Sequence, residues 1–105
     1  MLNLDKTTFQ KEVLEQEGYV LVDFWNERCA ACKALMPNVI SLSEKYGNDL
    51  KFTKLDTSNA ARLSIKQKVL GLPTIAIYKN GEKIDELTKG DATLDKIEKM
   101  INKYI

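Results

Sequence analysis

The chain has 105 residues, 44% of them hydrophobic and 30% charged, with a formal net charge of +1 and no histidine. That length suits one domain, residues 1–105, with a core that needs no covalent help, and near neutrality offers nothing to attract nucleic acid or an anionic membrane. The opening MLNLDKTTFQ carries no basic region followed by an apolar run, and no apolar stretch approaches membrane-spanning length, so the expectation is a cytoplasmic protein. Two cysteines are too few for the disulfide framework of a small secreted domain.

In chain order, MLNL is short and apolar and suits an edge strand. Thr7 with Gln10 three residues on has the form of a capping box, and Phe9, Val13 and Leu14 supply an apolar face, which predicts a helix over 7–17 ended by Gly18. YVLVDFWN (19–26) is β-branched and aromatic and too apolar for a wet face, so it is expected as a central strand covered on both sides, with Asp23 its one anomaly. From about residue 30 to Tyr46 the pattern is helical, with Leu35, Met36, Val39, Ile40 and Ser43 on one face, Pro37 inside, and Gly47 as terminator. KFTKLDT (51–57) reads as a strand, Ser58 to about Gln67 as a short helix opened by a Ser/Asn cap, and TIAIYKN (74–80) as another strand. Asn80-Gly81 signals a tight hairpin into EKIDELTK. The last helix presents Leu94, Ile97, Ile101 and Tyr104 on one face, with Thr93 or Asp91 as cap. The order β-α-β-α-β-α-β-β-α implies an α/β fold, a mixed sheet of about five strands flanked by about four helices.

Within that order Cys29 falls just past the carboxyl end of the central strand, at the mouth of the next helix, the sheet edge where open α/β folds place their sites. A thiol there faces unpaired N–H groups and the positive end of the helix dipole, which favour thiolate. Cys32, one turn further in, is close enough to close a small ring, so the spacing makes Cys29 an exposed nucleophile and Cys32 a shielded resolving thiol. Two other uses of the pair stand beside this one. Tetrahedral zinc needs four ligands, and a chain with no histidine and no third cysteine would have to add carboxylates or share the metal between two chains. A purely structural disulfide closing so short a loop removes little chain entropy. CxxC after a strand in a βαβ unit favours redox work. A carboxylate inside an apolar strand, Asp23, is expected to titrate high and to suit a general acid or base; the other reading is a structural aspartate bonded to backbone at a strand end.

LVDFWNERCAACKALMP resembles the VDFWA-x-WCGPCK-x-x-x-P signature of thioredoxins. FTKLDT is similar to the family's K-x-D strand, VLGLPTIAIYKNGEK to its V-x-x-x-PT-x-x-x-x-K-x-G segment, and Gly90 to the glycine before the last helix, in matching order and intervals along the whole chain. The resemblance implies the thioredoxin fold and a protein-disulfide reductase in which Cys29 attacks a target disulfide and Cys32 resolves the mixed disulfide. It makes Asp23 the buried carboxylate that assists proton transfer at Cys32, with Lys54 modulating it and Trp25 packed beside the site. It makes the Leu72-Pro73 bond cis and faces it to the cysteines, with Leu72 offering backbone to an extended peptide, Thr74 opening the strand beyond, and Gly71 and Gly90 flanking the groove. For Lys54 a solvated strand lysine, and for Trp25 simple core packing, are the plainer readings.

The motif departs from the family where Arg28 stands for the usual Trp and Ala30-Ala31 for Gly-Pro. What the resemblance implies is a monomeric dithiol carrier, recharged by a thioredoxin reductase that draws on NADPH or ferredoxin, with disulfide-containing proteins as targets and no bound cofactor or metal, since both electrons reside on the two sulfurs. Two other functions remain open at this stage: a thioredoxin-fold binding module with little redox turnover, and a more oxidising disulfide exchanger.

Overall fold

The computed structural model describes all of residues 1–105. Five strands, β1 (Leu2–Leu4), β2 (Tyr19–Trp25), β3 (Lys51–Asp56), β4 (Thr74–Lys79) and β5 (Glu82–Thr88), form one sheet in the order β1-β3-β2-β4-β5. The first three run parallel, and β4 and β5 run antiparallel to their neighbours. Three α-helices, α1 (Ala30–Tyr46), α2 (Ala61–Lys66) and α3 (Leu94–Asn102), accompany it with a π-helical turn at Gln10–Leu14.

Period-two alternation in the strands divides the core into two layers. Leu21, Phe52, Ile75 and Ile77 point to one face, where they meet Leu35, Val39 and Leu42 of α1 and Ile97, Met100 and Ile101 of α3. Val20, Val22, Phe24, Leu55, Ala76 and Tyr78 point to the other, against Phe9 and Val13 of the π-helical turn, with Leu63 of α2 packed at the margin. β2 is third of five and its five middle residues are buried, as its apolar run, interrupted only by Asp23, requires.

Capping differs from the sequence expectation at two helix starts, for one reason. The first helix is the turn Gln10–Leu14, closed by the Glu15 N–H on the Gln10 carbonyl at 2.9 Å, and not a helix over 7–17. Its chain entry is tied by Asp5, whose Oδ1 accepts from the N–H groups of Thr7 (2.7 Å) and Thr8 (3.1 Å), while Gln10 reaches forward to Glu15. At the next short helix, Asp56 accepts from the Ser58 N–H at 2.9 Å and organises a 3₁₀ turn, Thr57–Asn59, ahead of α2. In both places a carboxylate two residues upstream of the expected cap hydroxyl is the stronger acceptor. α1 runs unbroken through Pro37, with Cys32, Leu35, Val39 and Leu42 as its buried stripe and Ile40 exposed. In α3, Thr93 is the cap, accepting from Lys96 N–H at 3.3 Å, and Asp91 instead pairs with the Lys96 ammonium at 3.0 Å; Leu94 is exposed and Met100 takes the buried place.

The hairpin turn is fixed by Asn80 and Gly81, at φ +50° and +84°, the left-handed pair a two-residue turn demands. Asn80 also locks the hairpin to the start of β2: its Oδ1 accepts from Gly18 N–H at 2.8 Å, and its own N–H donates to the Gly18 carbonyl at 3.1 Å. A Cβ on Gly81 would stand 2.1 Å from the Leu14 carbonyl oxygen, whereas one on Gly90 would meet nothing within 4 Å. Gly81→Ala is expected to lose more than about 1 kcal/mol in urea denaturation, and Gly90→Ala to lose little by comparison; equal losses would refute the close-approach argument.

Candidate active site

The site begins where β2 leaves the sheet. After Trp25 the chain turns through Asn26–Arg28, with the Asn26 Oδ1 accepting from Arg28 N–H at 2.9 Å and its carbonyl from Cys29 N–H at 3.1 Å. Cys29 is thereby set in extended conformation as the N-cap of α1, and its Sγ accepts from the Cys32 N–H at 3.1 Å. The two cysteines are joined as a disulfide across a Cα separation of 5.2 Å. Cys29 is half-buried, and Cys32, first in the stripe that α1 turns to the sheet, is 1% exposed. The sulfur at the helix mouth is reachable and its partner is sealed.

Asp23 is 1% exposed, and neither carboxylate oxygen has a hydrogen-bond partner. This rules out an aspartate satisfied by backbone. Two residues from Leu21 on β2, it shares the sheet face that α1 covers, the face where Cys32 is buried. Burial raises its pKa from 3.8 to about 7, and the charge of Lys54, its register partner on β3, pulls the other way. Lys54 is half-buried with its ammonium 5.6 Å from the centre of the Trp25 ring, so it is not a freely solvated strand lysine. Trp25 is half-buried, and its indole N–H is buried without an acceptor.

The second wall comes from the segment before β4. Leu72-Pro73 is cis, and Pro73 is buried. Pro73 lines an open groove of about 370 Å³ with Ala31 and Leu35 of α1 and Lys89, Gly90 and Thr93 of the β5–α3 connection. The Leu72 N–H and carbonyl make no hydrogen bond within the chain. Thr74 is placed differently from its neighbours: it is 1% exposed, donating to the Gly71 carbonyl at 2.6 Å and sharing a hydrogen bond with Thr88 at 2.9 Å, so it braces the loop and does not line the groove. Gly71 is overlaid by the Lys89 side chain, 2.2 Å from where a Cβ would be, while Gly90 stands open. Lys89 was not singled out by sequence: its N–H donates to the Pro73 carbonyl at 2.7 Å, and the only local signal is its place before Gly90. Ala30 and Arg28 are exposed, and Arg28 forms no ion pair, whereas Glu27 and Lys33 pair across the turn at 3.6 Å.

Residues 1–103 match the sequence profile of the family described as Thioredoxin. The chain belongs to the thioredoxin family. It is 63% identical over all 105 residues to a thioredoxin of Acetoanaerobium sticklandii, each chain being covered in full. It is 53% identical to a thioredoxin of Peptoclostridium acidaminophilum, over all of this chain and 96% of the relative. A solved thioredoxin structure from Plasmodium falciparum superposes with a TM-score of 0.90 at 27% identity, with both chains covered in full. As a member of the family it is a thiol-disulfide oxidoreductase, a dithiol carrier whose redox pair is Cys29 and Cys32. No helix is long and apolar enough to cross a membrane.

The Asp23 carboxyl sets a pH dependence whose sign follows from its two pKa values. The unfolded chain releases this proton near 3.8 and the folded chain near 7, so stability falls as pH rises between them and the penalty is complete above 7. A gap of about three units corresponds to about 4 kcal/mol at most. Asp23→Asn in the oxidised protein is therefore expected to be more stable than wild type at pH 8, by up to about that amount, and nearly equal to it at pH 4. Urea denaturation at the two pH values checks this, and a difference that does not change with pH would exclude a buried, high-titrating carboxyl.

Proposed function

We propose that the whole chain, residues 1–105, acts as one monomeric domain that reduces disulfides of other proteins, with Cys29 as nucleophile and Cys32 as resolving thiol. The Cys29 thiolate attacks one sulfur of the target disulfide; that S–S bond breaks, a mixed disulfide forms, and the target's other sulfur leaves as thiolate. Cys32, deprotonated, then attacks the Cys29 sulfur and releases the second target thiolate. Two electrons have passed to the target, and Cys29–Cys32 is oxidised. The observation that carries this reading is the asymmetry of the pair at the head of α1: Cys29 half-buried with an N–H aimed at its sulfur, Cys32 sealed against the sheet.

Asp23 takes the Cys32 proton, since a carboxyl titrating near 7 can accept and return a proton at neutral pH, and Lys54 limits how far its affinity rises. The unpaired Leu72 backbone receives an extended segment of the target, beside Pro73 and between Gly71 and Gly90, with Ala30, Ala31, Arg28 and Trp25 around the reacting sulfurs. Thr74 holds that loop. A thioredoxin reductase, drawing on NADPH or ferredoxin, returns the pair to the dithiol in the cytoplasm, a reducing compartment suited to a reductant of this kind. The function requires no nucleic acid, no membrane and no bound cofactor.

Alkylation of the reduced protein with limiting iodoacetamide at neutral pH is expected to label Cys29, and preferential labelling of Cys32 would reverse the assignment. Cys32→Ser is expected to accumulate mixed disulfides with targets, and Cys29→Ser to form none. Arg28 places a fixed charge one residue from the nucleophile; Arg28→Gln should slow Cys29 alkylation by about threefold at low salt, with the gap closing as salt rises. Equal rates at low salt would show that the charge does not act on Cys29.

A further inference from the structure

Leu70 and Ile65 are the two most exposed large apolar side chains of the chain, at 91% and 70%. They flank one open groove of about 280 Å³ that runs between α2 and the 69–72 segment and ends at Leu72. Their exposure is built into the end of α2. Lys68 adopts φ +59°, its N–H donating to the Ile65 carbonyl and the Val69 N–H to the Ser64 carbonyl, both at 2.9 Å. Those paired bonds are the Schellman arrangement with a lysine where glycine is usual. A hydrogen-bonded helix end thus holds Leu70 out in water, directly upstream of the backbone that awaits a peptide.

The charged side chains that α2 places beside this groove are basic, and the nearest carboxylate along the chain, Asp56, is engaged by Ser58. Arg62 and Lys66 lie one helical turn apart on α2, beside the stripe of Ala61 and Ile65, and neither forms an ion pair; nor does Lys68. Arg62 and Lys66 also line an adjoining cleft of about 680 Å³, shared with Lys6, Ser58 and Asn59, which has no carboxylate among its lining residues. Apolar and basic residues therefore lie side by side on α2, and the apolar groove reaches Leu72, the residue before the Pro73 that lines the groove against α1.

We propose that α2 and the Leu70 segment form a docking surface for the disulfide-bearing protein partner, selecting one whose surface beside its disulfide carries an apolar side chain flanked by carboxylates. The apolar residue enters the groove between Ile65 and Leu70, and the carboxylates meet Arg62 and Lys66. This rests on the disulfide-exchange reading and adds to it a determinant of partner choice outside the reacting centre.

Two synthetic peptides, each with one internal disulfide, provide the test: one carries leucine between aspartates beside the disulfide, the other serine between lysines. Pre-reduced protein is mixed with each, and its oxidation is followed by acid quench and mass spectrometry. Wild type is expected to react about tenfold faster with the leucine–aspartate peptide, and Ile65→Ser/Leu70→Ser to lose most of that preference. Arg62→Gln/Lys66→Gln should weaken the salt dependence of the same rate. Both double variants alter exposed positions, and with 5,5′-dithiobis(2-nitrobenzoate), which is too small to span the groove, the Ile65→Ser/Leu70→Ser variant should match wild type. Equal wild-type rates on the two peptides, a preference for the lysine peptide, or a preference that survives Ile65→Ser/Leu70→Ser would each overturn the docking surface while leaving the exchange chemistry intact. Wild type inert toward the small disulfide would overturn the exchange reading, and the docking proposal with it.

Discussion

The constraint on which the molecule turns is the burial of β2 on both faces. β2 is covered by helical segments above and below, and at the end of its buried run the chain leaves it through the tight Asn26–Arg28 turn straight into α1. That junction makes Cys29 the N-cap of a 17-residue helix and puts Cys32 a turn inside it. The unequal environments of two chemically identical thiols are a consequence of geometry: one sulfur stands at the helix mouth, facing N–H groups that the helix itself cannot satisfy, and the other begins the stripe that α1 must bury to attach to the sheet.

The same burial explains why the site is costly to maintain. Asp23 occupies a position where the register calls for an apolar residue, with no hydrogen bond to offset its desolvation, and Trp25 on the same face keeps an indole N–H without an acceptor. Stability alone would replace Asp23 with an apolar residue. Burial raises the Asp23 carboxyl to about 7 against the Lys54 charge, which is the property the proposed proton transfer at Cys32 calls on. The remaining architecture gives this region a rigid surround: the Thr74 brace on Gly71 and the Lys89 bond to the Pro73 carbonyl each fix a segment bordering the groove.

In the function and docking surface proposed for this chain, chemistry and recognition occupy different parts of the surface. The sulfurs and the Leu72 backbone serve any extended disulfide-bearing segment, because main-chain hydrogen bonds carry no sequence information. Discrimination needs side chains. Beyond those around the sulfurs and in the groove beside Pro73, the proposed docking surface on α2 and its C-terminal turn offers apolar and basic side chains that take no part in the reaction. On that proposal the motif around Cys29, with its Arg28 and paired alanines, governs reactivity while a separate face governs which protein arrives.

Much of this was legible in the sequence because it depends on local pattern. The apolar run of β2, the Asn80-Gly81 turn, the order of strands and helices and the place of both cysteines at a strand-to-helix junction all follow from periodicity and turn chemistry. Local pattern misleads where acceptors compete: Thr7 and Ser58 have the form of caps, but the carboxylates of Asp5 and Asp56 bind the N–H groups and hydroxyls of those two residues themselves, so the turns are organised two residues earlier. It also misled where two helical faces are nearly alike, so that Ile40 and Leu94 were assigned to the core in place of Leu42 and Met100; which of them is buried depends on how each helix sits on the sheet. Only the tertiary structure decided that the Asp23 oxygens lack partners, that Thr74 turns inward, that Lys89 lies over Gly71, and that Leu70 stands in water beside the groove. Each of these is a relation between residues distant in sequence, or between a side chain and the solvent, and neither composition nor spacing encodes it.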